Sequence, residues 1–449
     1  MQSFELDKTD LSKLRKAIEG DDQLLAGTLA EYHASEIAIL FENINGEDRQ
    51  RIINLLEVEK ASEVIAEMSE EAHPEELLIQ LHPDKRTEIV EELDYDDATD
   101  IISQLDEDEQ QEILEDLSAH DAENIRNLLS YHEETAGGLM NTQMIKVNID
   151  LTKKDAIDEI IRQSEEIEEF YTVFVIDDEG RFKGIVSLKD IIKAKGNVKI
   201  TDMVNPDAVY VKADTDQEEV AKLLSQYNLT SIPVVDEELR LLGRVTFDDV
   251  IDVMENENTE DILKISGVSE DEELAGNWID AVKSRLPWLI INLGTAFLAS
   301  SVIRYFNETL DRLDVLSAYM TIIAGMGGNA ATQSLAVTVR RISLFDLTDR
   351  QAYRTVLKEF TVGMINGAVT GVIVLVVAYV FDANLMLGLV IFLAMTGNLI
   401  VAGITGSAIP LMLKRVGIDP AIASSIIITT FTDVFGFFLL LGLASKLLL

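Results

Sequence analysis

Apolar positions follow three rhythms along the chain. Through residue 135 they recur at helical spacing among acids, with Leu, Ile and Ala prominent and glycine almost absent, which predicts a run of amphipathic helices. Between 136 and 257 short apolar runs alternate with helical stretches, which predicts strands and helices in turn. From 287 the apolar positions merge into five long segments, at 287–306, 316–339, 360–381, 385–413 and 421–444. Each is close to or above the ~20 residues that span a bilayer.

Within the first region a repeat is visible. Leu81, Leu93, Leu105 and Leu117 recur every twelve residues, each followed by an acidic or capping cluster such as Asp94-Tyr95-Asp96 or Ser118-Ala119-His120-Asp121. Asp and Ser before short apolar runs accept the free amides of a first helical turn. A fixed period with capped short helices predicts a helical superhelix over residues 1–135.

The second region contains a duplication. Tyr171 to Ile176, the turn Asp177 to Gly180 and Gly184 to Asp190 recur about 60 residues later as Ser231 to Val235, Asp236 to Glu238 and Gly243 to Asp249. Both copies carry G-x-x-[S/T]-x-x-D. This resembles a tandem pair of CBS domains over 136–257, an α/β module. That resemblance implies that Ser187, Asp190, Thr246 and Asp249 contact an adenine nucleotide such as ATP; Ser or Thr before a helix also reads as an ordinary N-cap. Residues 258–286 form an acidic connector rich in Glu and Asp, leading to Pro287-Trp288, and a Trp suits the membrane interface.

Charge sharpens the division. From Leu286 onward there are nine acids and ten bases, which leaves 71 of the 80 acids and 27 of the 37 bases in residues 1–285, a net charge of about −44. Such a surface attracts cations and repels nucleic acid and anionic lipid. The chain has no cysteine, which excludes disulfides and thiolate metal sites, and its five histidines show no metal-ligand spacing. Met1 to Asp10 lacks the basic and apolar regions of a signal peptide. Arg340, Arg341, Arg350, Arg354 and Lys358 lie between the second and third apolar segments, and Lys414 and Arg415 between the fourth and fifth. Positive loops stay in the cytoplasm, so the expected orientation in the cell membrane is N-terminus inside and C-terminus outside.

Two stretches of the membrane half carry candidate chemistry. Gly325 to Gln333 places Gly325, Gly328 and the amide of Asn329 inside an apolar segment, where glycine lets backbones approach or unwind. Asp433 stands about halfway along the last segment, preceded by Thr429, Thr430 and Thr432. A carboxylate at that depth costs about 2.5–3.5 kcal/mol on insertion scales and marks an ion path by default. No base lies well inside any segment to neutralise it. With one membrane carboxylate and no Ser/His or metal-ligand set, an enzyme is not expected.

Taken in order, these parts make a multidomain membrane protein with an all-α superhelical N-domain (1–135), a tandem CBS module (136–257), an acidic connector or plug helix (258–286) and a transmembrane domain of five helices (287–449). The chain resembles the MgtE family of magnesium channels over nearly its full length, including Ile418-Asp-Pro-Ala421 before a helix with a central Asp. The resemblance implies a homodimer in the lipid bilayer, with a pore on the two-fold axis lined by the second and fifth helices. It implies that Asp433 holds a largely hydrated Mg²⁺, with Asn329, Gly325, Gly328 and Thr432 as helpers. It also implies closure by Mg²⁺ bound at Glu218, Asp249, Glu257, Glu260 and Asp261, together with Asp94 and Asp97. Magnesium suits such sites because it prefers carboxylates while keeping several waters. Thr321, Ala331 and Asn228 depart from residues common in relatives. A coupled carrier for Co²⁺ or Mn²⁺ is the alternative; softer metals favour thiolate or imidazole ligands, which the membrane half lacks.

Overall fold

The computed structural model describes residues 13–449 apart from 15, 42–43, 70–71, 165–166, 168–169, 270–277, 346 and 423–424. The expectations resting on Met1 to Asp10 and on the acids Glu270 to Glu273 lie outside the described residues. The chain forms two compact units, Met1–Glu255 and Asn256–Leu449.

The first unit begins with α1 (Asp22–Leu29), α2 (Ala34–Phe41), α3 (Gly46–Leu55), α4 (Val58–Ala66), α5 (Pro74–Gln80), α6 (Pro83–Glu92), α7 (Tyr95–Ser103), α8 (Glu107–Asp116) and α9 (Ala119–Leu128). Helices this short are marginal alone, so they persist by stacking. Each packs on the helix two further along: α1, α3, α5, α7 and α9 form one layer, and α2, α4, α6 and α8 the other. The twelve-residue leucines are the seam. Leu81, Leu93, Leu105 and Leu117 each follow a helix and are buried in one continuous apolar core. Asp106 and Ser118 cap as expected, accepting from the amides of Glu109 and Asp121.

Two three-stranded sheets follow. One orders β1 (Lys146–Asn148), β2 (Thr172–Ile176) and β3 (Phe182–Ser187); the other orders β4 (Val211–Lys212), β5 (Ser231–Val235) and β6 (Leu241–Thr246). In each, the first pair is parallel and the second antiparallel. The duplication extends to register: Val175 faces Gly184 and Val234 faces Gly243, with a bulge beside each valine. Gly184 has φ +138°, and a Cβ there would meet the Asn205 carbonyl oxygen at 2.2 Å. Helices α10 (Lys153–Gln163), α11 (Leu188–Lys193) and α12 (Gln217–Tyr227) complete the module, and α13 runs from Phe247 to Ser266. Asn228, the departure noted above, ends α12 in the left-handed conformation (φ 51°, ψ 49°), which Asn tolerates better than most residues.

The second unit contains α14 (Trp278–Tyr305), the short α15 (Asn307–Arg312), α16 (Leu316–Leu344), α17 (Asp349–Asp382), α18 (Leu385–Val416) and α19 (Ser425–Leu447). Helices α16, α18 and α19 pack mutually, α17 lies on α18 and α14 on α19. Among the described residues four helices, α14, α17, α18 and α19, are long and apolar enough to cross a membrane, with mean hydropathy of 1.7 to 2.3. Helix α16 has the length, but Asn329, Thr332 and Gln333 dilute its apolar character. Glycines mark the close helix approaches: a Cβ on Gly403 or Gly406 of α18 would meet the Glu359 carbonyl of α17 at 2.4 Å or the Ala331 carbonyl of α16 at 2.6 Å. Gly363, Gly367 and Gly371 of α17 meet α18, where a Cβ would come within 2.4 to 2.9 Å of α18 atoms; nothing lies within 4 Å of a Cβ on Gly294 or Gly325.

Candidate cation sites

The membrane site starts from α16, which stays helical through Gly325 to Gln333. Close approach, and not unwinding, is what Gly327 and Gly328 provide, while Gly325 faces open space. Ile322, Gly325, Asn329 and Gln333 are exposed at three- and four-residue spacing, so one face of α16 is open and carries two amides. Gly328 turns to α19, where a Cβ would meet Thr429 Cγ2 at 3.2 Å, and Gly327 turns to Thr432.

On α19, Asp433 is partly exposed and, among the described residues, has no hydrogen-bond or ion-pair partner. The threonines before it are engaged with their own helix. Thr429 and Thr430 donate to the Ile426 carbonyl at 3.1 and 2.7 Å, and Thr432 donates to the Thr429 carbonyl at 2.9 Å. Thr432 is also fully buried. Its side chain belongs to the packing of α19 on α16, away from the open face of α16. A second acid, Glu359, falls just before the expected third segment; it is inside α17 and buried.

In the first unit the structure gathers acids from distant parts of the chain. Asp94, Asp96 and Asp97 place carboxylate oxygens within 4.8 Å of one another. Tyr95 anchors this turn by packing on both the helical core and the core of the second CBS copy. Asp249, at the start of α13, adds its charge to the same place and raises the pKa of both Asp96 and Asp97. Burial, then Asp97, Asp249 and Asp94, push the Asp96 carboxyl well above the usual range. Burial and the surrounding acids push Asp97 up to about 7. One oxygen of Asp96 is buried without any hydrogen-bond partner. Like charges held together are disfavoured until a cation or proton neutralises them. Asp94, Asp97 and Asp249 were expected here; Asp96 was not, because in sequence it reads as part of a capping cluster. Glu218 lies exposed in the first turn of α12, outside the group of three.

In the second unit, the remaining sensor candidates sit on the last turns of α13 with partners of their own. Lys264 pairs with Glu260 and, at 3.1 Å, with Asp419. Ser343 of α16 donates to Asp261 at 3.3 Å, and Arg340 donates to Asn258 at 3.0 Å. Burial and Asp419 raise the Asp261 pKa, opposed by Ser343 and Arg340. Glu257 lies one turn earlier and is half-buried.

Both G-x-x-[S/T]-x-x-D motifs share a hydroxyl-to-carboxylate hydrogen bond. Ser187 caps α11 and donates to Asp190 at 2.7 Å, while Thr246 donates to Asp249, which in turn accepts the Thr246 amide at 3.1 Å. A cavity of about 170 Å³ opens between the two copies, lined by Ile185 of the first and by Asn205, Asp207, Tyr227, Ser231 and Pro233 of the second. Ile185 and Ser187 share a face of β3, since strand residues two apart point the same way. Asn205, Asp207 and Tyr227 lie outside the motifs, so the motif pattern alone did not reveal them.

Comparison with known proteins accounts for almost the whole chain. Residues 320–443 match the family described as divalent cation transporter, residues 32–134 the MgtE intracellular N domain, and residues 136–197 and 200–256 the CBS domain. The magnesium transporter MgtE of Thermus thermophilus is 34% identical over 438 residues, covering 96% of each chain. That of Enterococcus faecalis is 36% identical over 315 residues, covering 70% of this chain and 69% of its own. Among solved structures, the cytosolic domain of the Mg²⁺ channel MgtE in complex with ATP superposes with a TM-score of 0.52 at 37% identity, covering 54% of this chain and 99% of that one.

Proposed function

Because the chain belongs to the MgtE family of magnesium transporters, a non-enzymatic function, we propose that it is a Mg²⁺-selective channel of the cell membrane that admits Mg²⁺ and closes when Mg²⁺ fills its acidic cytosolic sites. The observation that carries the conduction reading is the open face of α16, with Gly325 and Asn329, beside the unpartnered Asp433 of α19. Amides and a carboxylate facing hydrocarbon are disfavoured. They are stable if a second copy of the chain packs there and encloses a water-filled path. A homodimer then presents two Asp433 carboxylates to one hydrated cation, with Asn329 and the backbone near Gly325 and Gly328 bonding to its waters. Magnesium gives up its waters reluctantly, which suits a site built from few direct ligands. Thr432 supports this site by holding α19 against Gly327. With α16 lining such a path, all five long helices span, the N-terminus is cytoplasmic and the C-terminus is outside.

Closure rests on the soluble cluster. Asp94, Asp96, Asp97 and Asp249 join the helical superhelix to the second CBS copy, and a divalent cation there stabilises that junction against the mutual repulsion of the acids. Glu218, Glu257, Glu260 and Asp261 complete the regulatory set; the last two exchange Lys264 and Ser343 for the metal when it arrives. ATP binds at the first CBS copy, through Ser187 and Asp190 with the Asn205 to Tyr227 cavity. This cavity is smaller than the ~300–1,000 Å³ usual for a drug-sized ligand, so it takes the base while the phosphates lie outside. Thr246 and Asp249 serve the cation cluster, and the ATP-bound relative supports a nucleotide role for the module.

The conduction reading is tested with Asp433→Ala in cells lacking other magnesium transporters. The variant assembles in the membrane and fails to support growth in low Mg²⁺. Normal Mg²⁺ uptake would remove Asp433 from the path, and flux that requires a proton or Na⁺ gradient would replace the channel by a coupled carrier.

A further inference from the structure

Asn398, in the middle of α18, is fully buried, and none of the sites above uses it. Its Nδ2 donates a 3.0 Å hydrogen bond to the Ile323 carbonyl oxygen of α16. Two glycines on two other helices make room for this amide. A Cβ on Gly327 of α16 would come within 2.2 Å of Nδ2, and a Cβ on Gly436 of α19 within 2.9 Å. A Cβ on Gly327 would also lie 3.2 Å from Thr432 Cβ, one residue from Asp433. Helix α18 thus places one polar group in a notch where α16 and α19 meet, level with the acid.

Packing alone does not call for an amide. Leu has similar bulk and leaves no polar atom to satisfy, whereas Asn398 Oδ1 is buried with no hydrogen-bond partner, a disfavoured arrangement in an apolar interior. What the amide adds is direction: its bond to one chosen carbonyl fixes both the rotation and the height of α16.

We propose that Asn398 is a positioning residue that sets the spacing of α16 against α19 beside Asp433, and through it the ion preference of the path. This rests on the reading that α16 and α19 line that path.

The test uses the full chain in liposomes. Gly328→Cys and Thr429→Cys report the spacing, since a Cβ at Gly328 lies 3.9 Å from Thr429 Cβ, inside the ~3.5–4.5 Å that a disulfide needs. With no native cysteine, any disulfide within one chain is that one, and one between two copies is told apart by its dimer mobility on a non-reducing gel. In this background Asn398→Leu, and Asn398→Ser as the milder change, slow disulfide formation and lower the preference for Mg²⁺ over Ca²⁺, each by roughly three- to tenfold, the size of one interhelical hydrogen bond. Gly327→Ala, which drives a methyl into the amide, loses flux in the cysteine-free chain, and adding Asn398→Ala restores it. Disulfide formation and ion preference at wild-type levels in both Asn398 variants would overturn the proposal, whatever the flux. Altered disulfide formation with unchanged flux and preference would overturn the link to ion preference by removing α16 and α19 from the path, and Asp433→Ala would then conduct as well.

Discussion

Asp96 of α7 and Asp249 of α13 are far apart in sequence, yet Asp249 is among the charges that raise the pKa of the buried Asp96. Burial and the neighbouring acids dominate its surroundings, and among the described residues one Asp96 oxygen has no hydrogen-bond partner. The soluble unit therefore holds a place where charge is stored against repulsion. A divalent cation relieves it.

Asp96→Asn removes one charge while keeping the shape. The expected result is a soluble unit that is more stable without metal, by about 1–3 kcal/mol, and that responds less to Mg²⁺. Hydrogen exchange of residues 94–100 in the full chain reads both effects: exchange slows in the metal-free variant, and Mg²⁺ slows it little further. Wild-type protection by Mg²⁺ would place the cation elsewhere.

The same cluster predicts a pH dependence. An acid whose folded pKa is raised binds more protons folded than unfolded, so stability falls as pH rises from the ordinary carboxylate range to its folded pKa. For Asp97 the window runs from about 4 to about 7, and three pKa units correspond to a few kcal/mol. Without metal, the region should melt at lower temperature at pH 8 than at pH 5; saturating Mg²⁺ should flatten the difference. A metal-free melting temperature that rises over this window would contradict the assignment.

Much of this was legible in sequence, and the exceptions have physical reasons. Leu81, Leu93, Leu105 and Leu117 announced the superhelix because a seam of stacked short helices has to repeat. Gly184 and Gly243 announced the duplication because a carbonyl from another segment crosses each of them, at Asn205 and Asn141. Asp96 was hidden because a capping acid and a buried acid look alike until tertiary packing covers one of them. Asn398 was hidden because its meaning lies in glycines on two other helices. Thr432 read as a pore residue from its place beside Asp433, but neighbours on a helix point about 100° apart, and one of the pair faces inward.

The two CBS motifs should separate in function despite their shared hydroxyl-to-carboxylate bond. Ser187→Ala and Asp190→Asn are expected to weaken ATP binding about tenfold or more, the loss of a charge-assisted contact. Thr246→Ala should leave ATP affinity near wild type and weaken the response to Mg²⁺. Calorimetry of the full chain in detergent measures both; equal losses of ATP affinity would assign the nucleotide to both copies.

Five crossings predict opposite sides for the two ends of the membrane half. In the cysteine-free chain, Leu449→Cys should react with an impermeant maleimide in intact cells, and Leu347→Cys only after permeabilisation. Labelling of Leu347→Cys in intact cells, with Leu449→Cys reached only after permeabilisation, would mean that α16 does not span.

The central claim is that Mg²⁺ both passes through this protein and closes it. Single-channel recording of the reconstituted full chain, with Mg²⁺ varied on the cytosolic side, tests both halves together. The account predicts Mg²⁺ currents that shut as cytosolic Mg²⁺ rises, and that stay open when Asp96 and Asp249 are both changed to Asn. Currents indifferent to cytosolic Mg²⁺, or closure unchanged in that double variant, would contradict it.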